Sequence, residues 1–147
     1  MKNEDKSVRL VRIKNTKEHI DALYALLKSR KFNISNHRIP SYAEHKLFVM
    51  NNPYRAWYLI EVNKKYTGTV YLLKDNCVGI YAGEKNADVI KYVIRWILKN
   101  KSPLPGIKSV RPSNFFINLA PANKYMSLIL KKMGATPIQV TYTLKDL

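Results

Sequence analysis

Side chains able to do acid–base or nucleophilic work are few and scattered in this chain of 147 residues. Cys77 stands alone, so no intrachain disulfide can form. A cysteine nucleophile needs a neighbouring base, and the local context of Cys77 supplies none; it reads as a small apolar strand residue. His37, His45 and Glu61 could each accept a proton, but none stands at a spacing diagnostic of an acid–base pair. No group of residues reads as a metal site. The remaining chemistry is recognition: His37, Arg38 and Lys46 with Trp57 and Tyr58 join cations to aromatic rings, which suits a ligand carrying both a phosphate and a ring.

These residues need elements to position them. Val8 to Ile13 alternates apolar residues with arginine and predicts a first strand. Asn15, with Glu18 three residues later, predicts a capped helix whose buried stripe is Ile20, Leu23, Tyr24 and Leu27. Ser41 with Glu44 repeats the capping pattern for a short helix carrying His45, Phe48 and Val49, broken at Asn51-Asn52-Pro53. Ala56–Val62, Tyr66–Leu73 and Cys77–Ala82 read as a three-stranded antiparallel meander with turns at Asn63-Lys64 and Lys74-Asp75-Asn76. Either Trp57 and Leu59 or their alternates Tyr58 and Ile60 face a core. From Ala87 to Asn100 the period turns helical, with Val89, Ile90, Val93, Ile94 and Ile97 inward.

The C-terminal third is the most distinctive part. Phe115 to Leu119 reads as a strand, Pro121 and Asn123 break it, and a helix from Asn123 to Met133 places Met126, Ile129, Leu130 and Met133 on one face before Gly134. Pro137 to Leu144 reads as a last strand. The element order β-α-α-β-β-β-α-β-α-β predicts a single α/β domain over residues 1–147, a sheet covered by helices.

Composition bounds the class. A hydrophobic content of 46 % fits a globular domain with a core. No apolar run reaches the roughly 18 residues of a membrane span. The charged N-terminus lacks the apolar stretch of a signal peptide, so the expected compartment is the cytoplasm. Twenty-six Lys and Arg against 10 Asp and Glu give a net charge of +16, which favours an anionic partner or simply reflects a lysine-rich composition.

The strand–Pro-x-Asn–helix–Gly order of Phe115 to Gly134 resembles the closing motif of the GNAT superfamily of acyl-CoA N-acyltransferases, and the element order is similar to that family's along nearly the whole chain. The resemblance implies a mixed, mostly antiparallel central sheet of about six strands flanked by about four helices. It implies acetyl-CoA as co-substrate, lying where the last meander strand and the Phe115–Leu119 strand splay. Ile80, Tyr81 and Ala82 would meet the pantetheine arm. Lys85, Asn86 and Ala87 would lie at the pyrophosphate, and Asn123 matches the asparagine that contacts the cofactor. The Gly83–Asp88 loop departs from the family pattern: it is short, has one glycine, and carries Glu84 and Asp88. Leu130 occupies the place of the tyrosine that many members use as an acid.

The same resemblance implies direct transfer of an acetyl group to a primary amine, with a base beside the strand gap and a meander N–H stabilising the oxyanion. Glu61, His45 and His37 are the candidate bases, and Tyr125 lies near the missing tyrosine on another helix face. His37, Arg38 and Trp57 would bind an anionic acceptor such as a nucleotide-linked amino sugar. Two other readings stand beside this one: a GNAT-like binding or scaffolding domain that has lost CoA, and a basic nucleic-acid- or ribosome-associated protein. A monomer and a dimer are equally compatible with the sequence.

Overall fold

A computed structural model describes residues 7–30, 38–83 and 86–147. In chain order its elements are β1 (Val8–Arg12), α1 (Lys17–Ser29), α2 (Tyr42–Met50), β2 (Ala56–Val62), β3 (Lys65–Leu72), β4 (Val78–Tyr81), α3 (Ala87–Asn100) and α4 (Lys124–Lys132).

Local chemistry explains most boundaries. Thr16, not Asn15, caps α1: its side chain accepts the His19 N–H at 3.3 Å. Ser41 caps α2 by accepting the Glu44 N–H, while the Glu44 carboxylate turns to Arg38 at 3.1 Å. Asn63 and Lys64 both take positive φ, the two-residue hairpin geometry that matches strand twist. Asn86 and Asn123 cap α3 and α4 through their side-chain oxygens.

The four strands pair in the order β1-β2-β3-β4, every pair antiparallel. Helix α3 covers one face: Val89, Val93 and Ile97 pack on Ala56, Tyr58, Ile60, Val70, Leu72 and Val78. Helices α1 and α2 cover the other, with Ile20, Leu23 and Val49 on Trp57 and Leu59. Both alternating rows of β2 are therefore core, so its first five residues are all buried. Helix α4 rests Met126 and Ile129 against Ile90 of α3 and Ala82 beyond β4. Tyr24 Oη donates to Pro40 O, and Tyr42 Oη donates to Asp21 at 2.6 Å; these bonds tie α2 to α1.

The sheet corrects the sequence expectation. Among the described residues it has four strands and is wholly antiparallel, not a mixed GNAT-type sheet of about six. Phe115–Leu119 makes one parallel bridge, Cys77 to Phe116, and no ladder. Pro137–Leu144 forms no strand and pairs with no described residue, and every one of its residues is exposed. Both segments have strand-like composition. A strand exists only where its backbone finds a partner, and Pro112 and Pro121 flank the first while nothing among the described residues lies beside the second.

No helix among the described residues is long and apolar enough to cross a membrane.

Candidate functional site

The parallel bridge marks where an open stretch of strand edge begins. Val78 N–H donates to Phe116 O at 2.7 Å, and Phe116 N–H donates to Asn76 O at 3.2 Å. Pairing stops there; Asn118 turns its side-chain amide toward Cys77 Sγ, 3.6 Å away. Strand β4 continues to Tyr81 with β3 alone beside it. Cys77 O accepts the Leu73 N–H on the β3 side, so by strand alternation Val78 and Ile80 point their backbone groups outward. Val78 finds Phe116. Ile80 finds no backbone partner among the described residues. Its side chain and that of Leu119 both pack on the Ala82–Ile90–Met126–Ile129 cluster, which floors the gap.

On the opposite sheet face lies a cavity of about 90 Å³, lined by Arg30, His45, Tyr54, Trp57, Thr69 and Tyr71 among others. Trp57 and Tyr71 are cross-strand partners, and Thr69 stands two residues from Tyr71 on the same strand face. Trp57 Nε1 donates to Thr69 Oγ1 at 2.8 Å, and Thr69 Oγ1 donates to Tyr58 O. The rings of Tyr54 and Tyr71 stack at 4.3 Å. The Tyr71 ring lies across Gly79: a Cβ there would sit 2.0 Å from Tyr71 Cζ, so only glycine admits the ring. Burial pushes the Tyr54 phenol up to about 12. Burial also raises Tyr71, against the pull of the Arg30 charge. Arg30 lies over the Tyr81 ring at 5.2 Å, and Tyr81 Oη is 2.8 Å from Ser29 Oγ. The volume is well below the roughly 300–1,000 Å³ of ordinary ligand pockets, so the cavity has room for a small group and not for a whole drug-sized ligand.

Of the residues singled out from sequence, His45 and Trp57 line this cavity. His45 Nε2 stands 3.0 Å from Ile20 O and therefore donates to it. Ile80 and Ala82 lie at the gap, whereas Tyr81 turns its side chain to α1. Asn86 and Ala87 begin α3, and Asn86 Oδ1 already accepts the Val89 N–H. Asn123 Oδ1 likewise accepts the Met126 N–H at 3.3 Å. Tyr125 packs beside the α4 cluster. Glu61 lies outside both gap and cavity and pairs with Arg9 at 2.8 Å. Arg38 pairs with Glu44 away from the cavity lining. His37 and Lys85 fall outside the described residues. Cys77 is buried, and burial raises its thiol, in keeping with an inert core role. Sequence reasoning did not single out Arg30, Tyr54, Thr69 or Tyr71. The available signal was the pairing of Tyr71 with Trp57 across the hairpin, which also places Thr69 on that face.

No family model matches the chain, and no curated protein matches it. Among solved structures it is similar to a domain from Methanocaldococcus jannaschii DSM 2661, with 17 % identity, a TM-score of 0.61 and 88 % of each chain covered. That likeness concerns the fold alone.

Proposed function

We propose that the chain is a cytoplasmic N-acyltransferase that takes an acetyl group from acetyl-CoA and gives it to a primary amine on a small anionic acceptor, such as a nucleotide-linked amino sugar. One observation carries the reading: the outward N–H and C=O of Ile80, unpaired among the described residues, stand where the Phe116 segment leaves β4. A free strand edge of this kind pairs with an extended, amide-bearing ligand, and a pantetheine arm is one. The likeness of the Pro121-x-Asn123–helix–Gly134 part of the stretch to the GNAT closing motif supports the same choice, while its Phe115–Leu119 portion pairs at Phe116 alone.

The residues fit the two ends of the cofactor unequally. Ile80, with Leu119 and the α4 cluster beneath, suits the pantetheine arm. At the α3 N-terminus, Asp88 adds a negative charge and Asn86 already satisfies Val89 N–H, so little of the pyrophosphate affinity comes from the helix end. When bound, acetyl-CoA supplies the activated thioester. The outward Ile80 N–H donates to the arm or to the carbonyl oxygen as it gains charge. Arg30, at the cavity, attracts the anionic part of the acceptor. The Tyr54, Trp57 and Tyr71 rings exclude water from the amine. Among the described candidate bases only His45 lines the cavity, and its bond to Ile20 O leaves Nδ1 as the proton-accepting nitrogen.

The test is thermal unfolding with acetyl-CoA, CoA or polyphosphate, followed by thiol release against a panel of amines. Ligand at about 100 times its Kd adds about 2.7 kcal/mol, a rise of several degrees. A shift given by acetyl-CoA and not by polyphosphate, with amine-dependent thiol release, is the expected result. No shift, or one matched by polyphosphate, refutes it.

A second reading is favoured by a separate surface. Helix α3 presents Lys91, Arg95 and Lys99 beside Tyr92 and Trp96 along an open groove of about 570 Å³. Cations interleaved with rings suit a single-stranded nucleic acid. Under this non-catalytic reading, polyphosphate and RNA bind with steep salt dependence and acetyl-CoA does not.

A further inference from the structure

Beyond α4 the chain carries a strand with no sheet. Ile138, Val140, Tyr142 and Leu144 alternate with Gln139, Thr141, Thr143 and Lys145, so as a strand the segment would carry four large apolar side chains on one face. They are 72 %, 76 %, 83 % and 73 % exposed. The hydrogen bonds of residues 136–147 are all local: Gln139 Nε2 to Thr141 Oγ1, Lys145 N to Thr143 Oγ1, and Leu147 N to Leu144 O. Ala135 N–H still bonds Leu130 O, and Gly134, at φ 95°, turns the chain off the end of α4. An apolar row of this length in water marks a contact surface.

The body of the molecule has a matching vacancy. Phe116 commits both its backbone groups on one side, accepting from Val78 of β4 and donating to Asn76 O in the turn before that strand. The backbone groups of Phe115 and Ile117 therefore point to the opposite edge, where no described residue bonds them. Their side chains are already packed on the α3–sheet core, so this edge is anchored beside apolar surface that could support one further strand.

We propose that the chain forms a two-fold dimer by reciprocal strand exchange. The 137–144 tail of each copy adds to the open 115–117 edge of the other. A second copy is favoured over the same copy because the tail leaves α4 exposed at every residue from 134 to 147, with no described residue of its own chain packed on it. It is favoured over an unrelated partner because the chain itself carries both the unpaired strand and the unpaired edge. Reciprocity closes the assembly, leaving neither tail free. Residues 135–147 contain one Lys and one Asp, so the tail itself brings no net charge to the edge it joins. Added as a strand beside Phe116, the tail would also brace one wall of the Ile80 gap.

The experiment is light scattering of the full chain across a concentration series, with amide exchange read over residues 138–144, for the natural chain and Val140→Pro. Expected are a dimer, tail protection that rises with concentration, and loss of both in Val140→Pro with the far-UV signal kept. A monomer at every concentration overturns the proposal, whether its tail is protected on its own edge or exchanges freely. So does a dimer whose tail exchanges freely. The exchange data on the natural chain decide the matter even where Val140→Pro fails to fold.

Discussion

Replacing Gly79 by alanine tests how the sheet face below the cavity is built. The added methyl would lie 2.0 Å from Tyr71 Cζ and 2.4 Å from its Oη, far inside van der Waals contact. The ring is boxed by Tyr54 at 4.3 Å, so it cannot slide away without breaking that stack. Overpacking costs about 1–3 kcal/mol, and losing the aromatic pair costs a further ~0.5–1.5 kcal/mol. Gly79→Ala should therefore destabilise by about 2–4 kcal/mol, lowering Tm by roughly 5–10 °C for a domain of this size. The assay is urea unfolding of a double-mutant cycle with Tyr71→Leu. In the Tyr71→Leu background the alanine should cost under about 1 kcal/mol, since the obstructing ring is gone and alanine loses less backbone entropy than glycine. An equal cost in both backgrounds would refute the ring as the reason for glycine at this position.

Three further outcomes follow from single sites. Asn76 is fully buried at φ 75°, donates to Leu104 O and Pro112 O at 2.8 Å each, and accepts Leu104 N–H at 2.7 Å; Asn76→Ala should cost about 3 kcal/mol or more by urea unfolding. Because the Tyr54 phenol is raised from 10.0 to about 12 in the folded protein, its stabilising contribution is complete below pH 10 and lost as pH climbs toward 12; Tyr54→Phe should flatten that alkaline decline in a stability-versus-pH series. Glu61→Gln removes only a rim ion pair to an Arg9 side chain that is 71 % exposed, so stability should fall by less than about 1 kcal/mol and amine-dependent thiol release should persist.

The elements were legible in the sequence wherever one segment carried its own signal. Helix α3 has three inward residues per two turns and a capping asparagine, and it spans Ala87–Asn100 as expected. The meander follows from its turn residues and β-branched runs, with ends displaced by a residue or so at β3 and β4. The misreading lay where strand identity depends on a partner. Phe115–Leu119 and Pro137–Leu144 have the right composition, but ladder formation is a property of two segments, and the first reaches β4 at Phe116 alone. Thr16 displaced Asn15 as a cap because capping depends on backbone direction, which neighbouring Ser, Thr and Asn residues leave open. The candidate site was partly legible: Trp57 and His45 converge on the cavity. Glu61 was drawn to Arg9 by the register of β1 on β2, and that register cannot be read from either strand alone.

The central claim is that Ile80 offers an open backbone edge to the acyl donor. Its most direct test is the Ile80 amide itself, followed by 15N resonance shift and hydrogen exchange while acetyl-CoA is added. The account predicts that Ile80 shifts and becomes protected while Gly79 and Tyr81, already paired with β3, change little, and that polyphosphate leaves Ile80 unmoved. Saturation with acetyl-CoA while Ile80 keeps its shift and exchange rate would contradict it.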